Sequence, residues 1–190
     1  MVHRGLPWPG VLRIVDGGRP GGAGGPHHRM IITGTVATMA DQVSVRTEIR
    51  APVDQVWAMV ADLPRMKEWS PENDGAVWRK GATEAAVGAS FTGKNRRGSK
   101  SWSTVGTIVE CEQRRSLAFR VTAGGLKVAR WSYLIEPTDA GCQVTETWTD
   151  ERGGLVKFLG GLTTGVTDRM SHNRDGMEQT LANLKAAAEA

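Results

Sequence analysis

The chain has 190 residues, a formal net charge of +4, two cysteines and an aromatic set of seven Trp, three Phe and one Tyr. Its length suits one domain with a sizeable core, and no hydrophobic run approaches a membrane span. Up to Thr38, four Arg against Asp16 account for +3 of that charge, so the remainder is nearly neutral and no nucleic-acid surface is expected. Cys111 and Cys142 have neither metal-like spacing nor neighbouring His, which argues against a structural zinc and for free thiols in a reducing cytoplasm.

Residues 1–40 differ in character from the rest. Gly17, Gly18, Gly21, Gly22, Gly24 and Gly25, with Pro20 and Pro26, make a stretch unable to bury a core and expected to be disordered. The apolar piece Met30 to Met39 is broken by Thr33, Gly34 and Thr35 and follows that stretch, the wrong order for a secretory signal. Met39 followed by Ala40 is an alternative natural start. The expected domain is therefore residues 41–190.

Val43, Val45, Thr47 and Ile49 alternate with Ser44, Arg46, Glu48 and Arg50, the pattern of a strand with one wet face. Pro52 then opens a helix through Val53, Val56, Trp57, Val60 and Ala61. Asp62-Leu63-Pro64 breaks it, and a second short helix is expected to reach Trp69 before Ser70-Pro71. Strands are predicted at 76–80, 89–96, 102–112, 116–122, 127–136 and 143–150. Turn signals at Gly81, Arg97-Gly98, Gln113-Arg114, Gly124-Gly125 and Thr138 to Gly141 separate them. Such short connections specify an antiparallel meander. Gly153-Gly154 and Gly160-Gly161 bracket the apolar segment Leu155 to Leu162 and suit the hinges of a lid.

The last helix is predicted over Thr164 to Ala188. Val166, Met170, Met177, Leu181, Leu184 and Ala188 recur at helical spacing, with Asn173 the polar member of the stripe. Asp168, Asp175, Glu178 and Lys185 form the solvated side, Asp168 in the first turn and Lys185 in the last, as the helix dipole favours. Met fills space adaptably, and a mid-helix Gly such as Gly176 costs about 1 kcal/mol relative to Ala. Adaptable side chains, Asn173 and Gly176 in the middle of the stripe suit the wall of a cavity better than a filled core. A strand, two short helices, six strands and a long helix make an α+β domain in which a curved sheet covers that helix.

The stretch APVDQVWAMVADLPRMKEWSP, Ala51 to Pro71, resembles the opening of the START/Bet v 1-like (SRPBCC) superfamily, whose bacterial members include polyketide cyclase/dehydrase-like proteins. FTGKNRRG (Phe91 to Gly98), ARWSYLIEP (Ala129 to Pro137) and VTETW (Val144 to Trp148) are similar to its actinobacterial branch. The resemblance covers about Val43 to Ala188. It implies the helix-grip fold: a seven-stranded antiparallel sheet curved round the C-terminal helix, with a cavity between them. The superfamily includes lipid carriers, cyclases and hormone receptors, so fold alone does not give function.

If Thr138 to Gly141 form a four-residue loop, Pro137 faces Cys142 and Ile135 faces Val144. Tyr133 then faces Glu146, and Trp131 faces Trp148. A one-residue slip would bring Leu134 to Glu146 and break up this face, so the Trp131, Tyr133, Glu146 and Trp148 set is assigned to the cavity side. A buried Glu146 should have a raised pKa and can serve as an acid or base with Tyr133; alternatively, the two satisfy each other at a wet cavity mouth. The implied fold directs Trp69, Phe91, Trp102 and Phe119 at the cavity or its mouth, beside Met170, Asn173 and Met177. Asn95 and Arg96 are candidates to anchor a ligand carbonyl or carboxylate, although Arg96 also suits an exposed hairpin charge. His172, the single domain histidine, lacks a Cys or acidic partner at metal or triad spacing and is expected half-exposed. No metal or other cofactor is expected, nor stable membrane insertion.

Three functions remain open at this stage. The first is a binder or carrier for a lipid, fatty acyl or polyketide-like molecule. The second is a cyclase or dehydratase using Tyr133 and Glu146. The third is a module whose Trp-rich groove receives a peptide or helix.

Overall fold

The computed structural model describes residues 41–154, 156–157, 164–166 and 168–190. The Gly/Pro-rich stretch, the alternative start at Met39, and most of the lid segment with its hinge Gly160-Gly161 lie outside the described residues. Strand β1 spans Gln42–Ile49. Helix α1 (Val53–Ala61) and a 3-10 helix (Leu63–Glu68) follow it. Six strands come next: β2 (Asn73–Trp78), β3 (Ser90–Arg97), β4 (Lys100–Glu112), β5 (Ser116–Ala123), β6 (Leu126–Thr138) and β7 (Gly141–Asp150). The chain ends in helix α2, Arg169–Ala188.

All seven strands form one antiparallel sheet in the order β1-β7-β6-β5-β4-β3-β2. From β3 to β7 each strand is joined to the next by a short turn, whereas β2 reaches β3 through the longer segment 79–89; β1 pairs with β7 at one edge of the sheet. This is the helix-grip arrangement, with α2 packed against β1 and β7.

Alternation along the strands sorts side chains to the two faces. The register places Val43, Trp148, Trp131, Phe119 and Ile108 in one cross-strand row. Val45, Glu146, Tyr133, Leu117 and Cys111 form the next. Nearly all of these are buried or half-buried. Glu146 is thus a carboxyl set into an otherwise mainly apolar row.

Most strand ends shift by one or two residues from the sequence expectation, and three differences have a clear physical reason. Strand β2 starts at Asn73 and stops at Trp78, because Lys80 and Gly81 adopt left-handed φ values of 53° and 77° that end an extended run. The last hairpin pairs through Thr138 and Gly141, leaving Asp139 and Ala140 as the turn. The register inferred from a longer loop is unchanged. Helix α2 begins at Arg169, and Asp168 is its N-cap, its side chain accepting from the Ser171 N–H at 3.0 Å. Val166 is buried ahead of the helix rather than on it.

Candidate functional site

The concave face of the sheet and the first half of α2 enclose a cavity of about 650 Å³. The sheet supplies its aromatic walls. Phe91 stands edge-on to Phe119 at 5.3 Å and to Trp78 at 5.9 Å. Its ring lies across Gly106 of the neighbouring strand, in the space that any side chain at 106 would need. On the other side, Trp148 and Met177 form a buried cluster with Val43 and Ala129, and Trp131 and Met170 pack against it. The methionines therefore do meet the tryptophans, yet Trp131, Trp148 and Met177 still border open space.

Helix α2 contributes Arg169, His172, Asn173, Gly176, Met177 and Thr180 to the wall, residues three and four apart and hence on one side. A Cβ placed on Gly176 would meet nothing within 4 Å. The chain forgoes about 1 kcal/mol of helix propensity at a position where close packing does not demand glycine.

The chemical centre of the cavity is the pair inferred from the hairpin register. Tyr133 Oη donates to Glu146 Oε1 at 2.7 Å, with Tyr133 3 % and Glu146 2 % exposed. Glu146 Oε2 is buried and has no hydrogen-bond partner among the described residues. Burial pushes the Glu146 pKa up to about 8, against the smaller opposing effect of the Tyr133 hydrogen bond. Burial and the adjacent carboxyl push the Tyr133 phenol up as well. A pKa pushed above neutrality favours the protonated carboxyl at pH 7. With Tyr133 donating to Oε1, Oε2 is the oxygen left to carry that proton and donate it into a mainly apolar space.

Of the residues expected at the site, Phe91, Asn95, Trp102, Phe119, Trp131, Tyr133, Glu146, Trp148, Asn173 and Met177 line the cavity. Trp69 and Met170 do not. Trp69 is buried in the main core, where its carbonyl accepts from Asn183 Nδ2 at 2.9 Å, and Met170 is half-buried against the smaller cluster. Asn95 Nδ2 reaches Thr104 Oγ1 at 3.5 Å. Arg96 borders the cavity while pairing with Asp74 at 2.8 Å, both side chains largely exposed.

A charged rim was not foreseen. Arg97, Arg152 and Arg169 line the same cavity, together with Glu72 and His172. Glu72 holds Arg169 Nη1 at 3.3 Å through one oxygen and His172 Nε2 at 3.0 Å through the other. His172 thus has an acidic partner, 100 residues away on the segment before β2, a distance at which sequence spacing carries no signal. Arg152 is clamped by Asp150 through two contacts of 2.8 Å.

Comparison with known proteins agrees with this architecture. A solution structure of a polyketide cyclase-like protein from Corynebacterium glutamicum is 28% identical, with a TM-score of 0.54 over 78% of this chain and 91% of that one. The fold is shared by a major latex-like protein from Panax ginseng, at 14% identity and a TM-score of 0.61 over 80% of this chain and 99% of the other. It is also shared by the di-domain ARO/CYC StfQ of the steffimycin biosynthetic pathway. That match has 16% identity and a TM-score of 0.59, covering 80% of this chain and 51% of that one. No curated protein matches the chain. The family described as polyketide cyclase/dehydrase and lipid transport matches residues 40–189, and the chain belongs to it.

Proposed function

We propose that the protein binds a small, mainly apolar molecule carrying at least one oxygen acceptor, of lipid, fatty acyl or polyketide-like character, and holds it between the sheet and α2. One observation carries this reading: Glu146 Oε2 is buried on the wall of a mainly apolar cavity with no hydrogen-bond partner among the described residues, and burial favours its protonated form. A buried polar atom without a partner costs about 1–3 kcal/mol. A guest carbonyl or hydroxyl accepting from Oε2 would offset that cost, while apolar burial contributes about 25 cal/mol per Å². The family, which includes lipid transport, supports the ligand class.

Native mass spectrometry of protein purified from its own host should reveal an added mass that vanishes on denaturation. Glu146→Leu should lower that occupancy, and Tyr133→Phe should leave it nearly unchanged. Spectra showing only bare protein, and still bare after incubation with decan-2-one, would sink the reading.

A second reading rests on the same pair. A carboxyl titrating near neutrality beside a phenol has the properties of a general acid for an enolisable ketone, as a cyclase or dehydratase requires. In that case Glu146→Gln would abolish turnover while leaving substrate binding in place.

A further inference from the structure

The wall that α2 gives to the cavity changes character along its length. Arg169, Asn173 and Met177 follow one another at four-residue intervals, so charge gives way to amide and then to thioether over about 12 Å of helix axis. An apolar guest in this space meets the Tyr133–Glu146 acid on the sheet and the arginine rim at the start of the helix. The rim does not belong to the acid pair, and the binding reading leaves it unused.

Its charges do not balance. Besides Arg96, which is paired with Asp74, three guanidinium groups border the cavity here: Arg97, Arg152 and Arg169. Asp150 engages Arg152, and Glu72 is divided between Arg169 and His172. Among the described residues Arg97 Nη1 reaches backbone oxygens, those of Thr164 at 3.4 Å and Gly165 at 3.2 Å, and no carboxylate. Among the described residues, two carboxylates thus face these three guanidinium groups. The Arg169 side chain is only 14% exposed, and its contact to Glu72 is long at 3.3 Å. Burial, and then the nearby charges of Arg152 and Arg97, lowers its pKa despite Glu72. A desolvated guanidinium facing two others is stabilised by an added anion, and its planar donor fork suits the oxygens of a carboxylate or phosphate.

We infer that the guest is an amphipathic anion, its carboxylate or phosphate head held by Arg169 and Arg97 at the rim and its apolar body extending along α2 toward Met177 and the tryptophans. This rests on the cavity accepting an apolar guest at all, and it narrows the guest from any oxygen-bearing lipid to an acidic one. The head group neutralises the surplus positive charge, and the acid proton of Glu146 remains available to a second oxygen on the body.

The test is calorimetric titration of the full chain with dodecanoate, dodecyl phosphate and dodecan-1-ol, which share one alkyl body and differ in the head. At least one anion should bind about 10-fold or more tightly than the alcohol, the gain expected from one charge-assisted hydrogen-bond set. Whichever anion is tighter identifies the head. Arg169→Gln should bring that anion down to the level of the alcohol and leave the alcohol unchanged. Arg97→Gln, on an exposed hairpin, should remove part of the preference and tests the idea even if Arg169→Gln does not fold. Alcohol binding as tight as both anions, or an anion preference that survives in every folded variant, overturns the inference and leaves the binding reading standing. Failure of all three probes to bind overturns both.

Discussion

The two halves of α2 do opposite things with the same sheet. Beyond Thr180, Leu181, Leu184 and Ala188 are buried and pack with Ile49, Val56, Ile135 and Val144 into a filled core. Before it, Arg169, Asn173, Gly176 and Met177 border open space. One half uses two leucines and an alanine packed into the core, and the other uses a flexible thioether, an amide, a guanidinium and a residue with no side chain. The difference shows that the hollow is a property of composition within a single helix, with the filled half anchoring the helix so that the other half need not pack.

The sharpest way to break this comparison is to remove bulk from each half in turn. Leu184→Ala should cost about 2–5 kcal/mol, because a new void opens in a closed core. Met177→Ala removes contacts to the Trp148 cluster but opens onto space that already exists, and should fall toward the low end of that range. Urea melts of both variants check the order, and equal losses would mean that the two halves are packed alike.

The next effect is electrostatic. An unfolded Glu titrates near 4.3, whereas Glu146 in the folded chain titrates at about 8. Between these values the folded state holds more protons than the unfolded one, so this group's contribution to stability falls as pH rises from about 4.5 to 8 and is flat above. Glu146→Gln has no carboxyl to ionise and should be more stable than the parent by about a few kcal/mol at pH 9. At pH 4 the two should differ far less. Denaturation at pH 4, 7 and 9 reads this directly, and parallel profiles would show that the carboxyl is not held as the acid.

The smallest effect separates space from stability. Gly176→Ala should raise stability by about 0.5–1 kcal/mol, since the added methyl gains helix propensity and meets nothing. Gly176→Phe should instead leave a folded protein that excludes decan-2-one from the cavity. If Gly176→Ala proves destabilising, the space beside Gly176 is not open in solution.

The sequence made the paired centre legible because β registers are local. Once the last hairpin is placed, Tyr133 must face Glu146 and Trp131 must face Trp148. The α2 stripe was legible for the same reason, its period being set within the helix. The rim was not, because Glu72 meets Arg169 and His172 only after the whole sheet has closed, and no spacing rule links such positions. Trp69 misled because an aromatic at the end of a short helix looks the same in sequence whether it turns to the core or to the cavity. Val166 misled because apolar periodicity continued past Asp168, where the cap ends the helix.

The crossing of Phe91 over Gly106 ties two strands together in a way that limits how this interior can vary. A larger residue at 106 is admissible only with a smaller one at 91, so a position off the cavity wall sets a limit on the bulk of one that lines it.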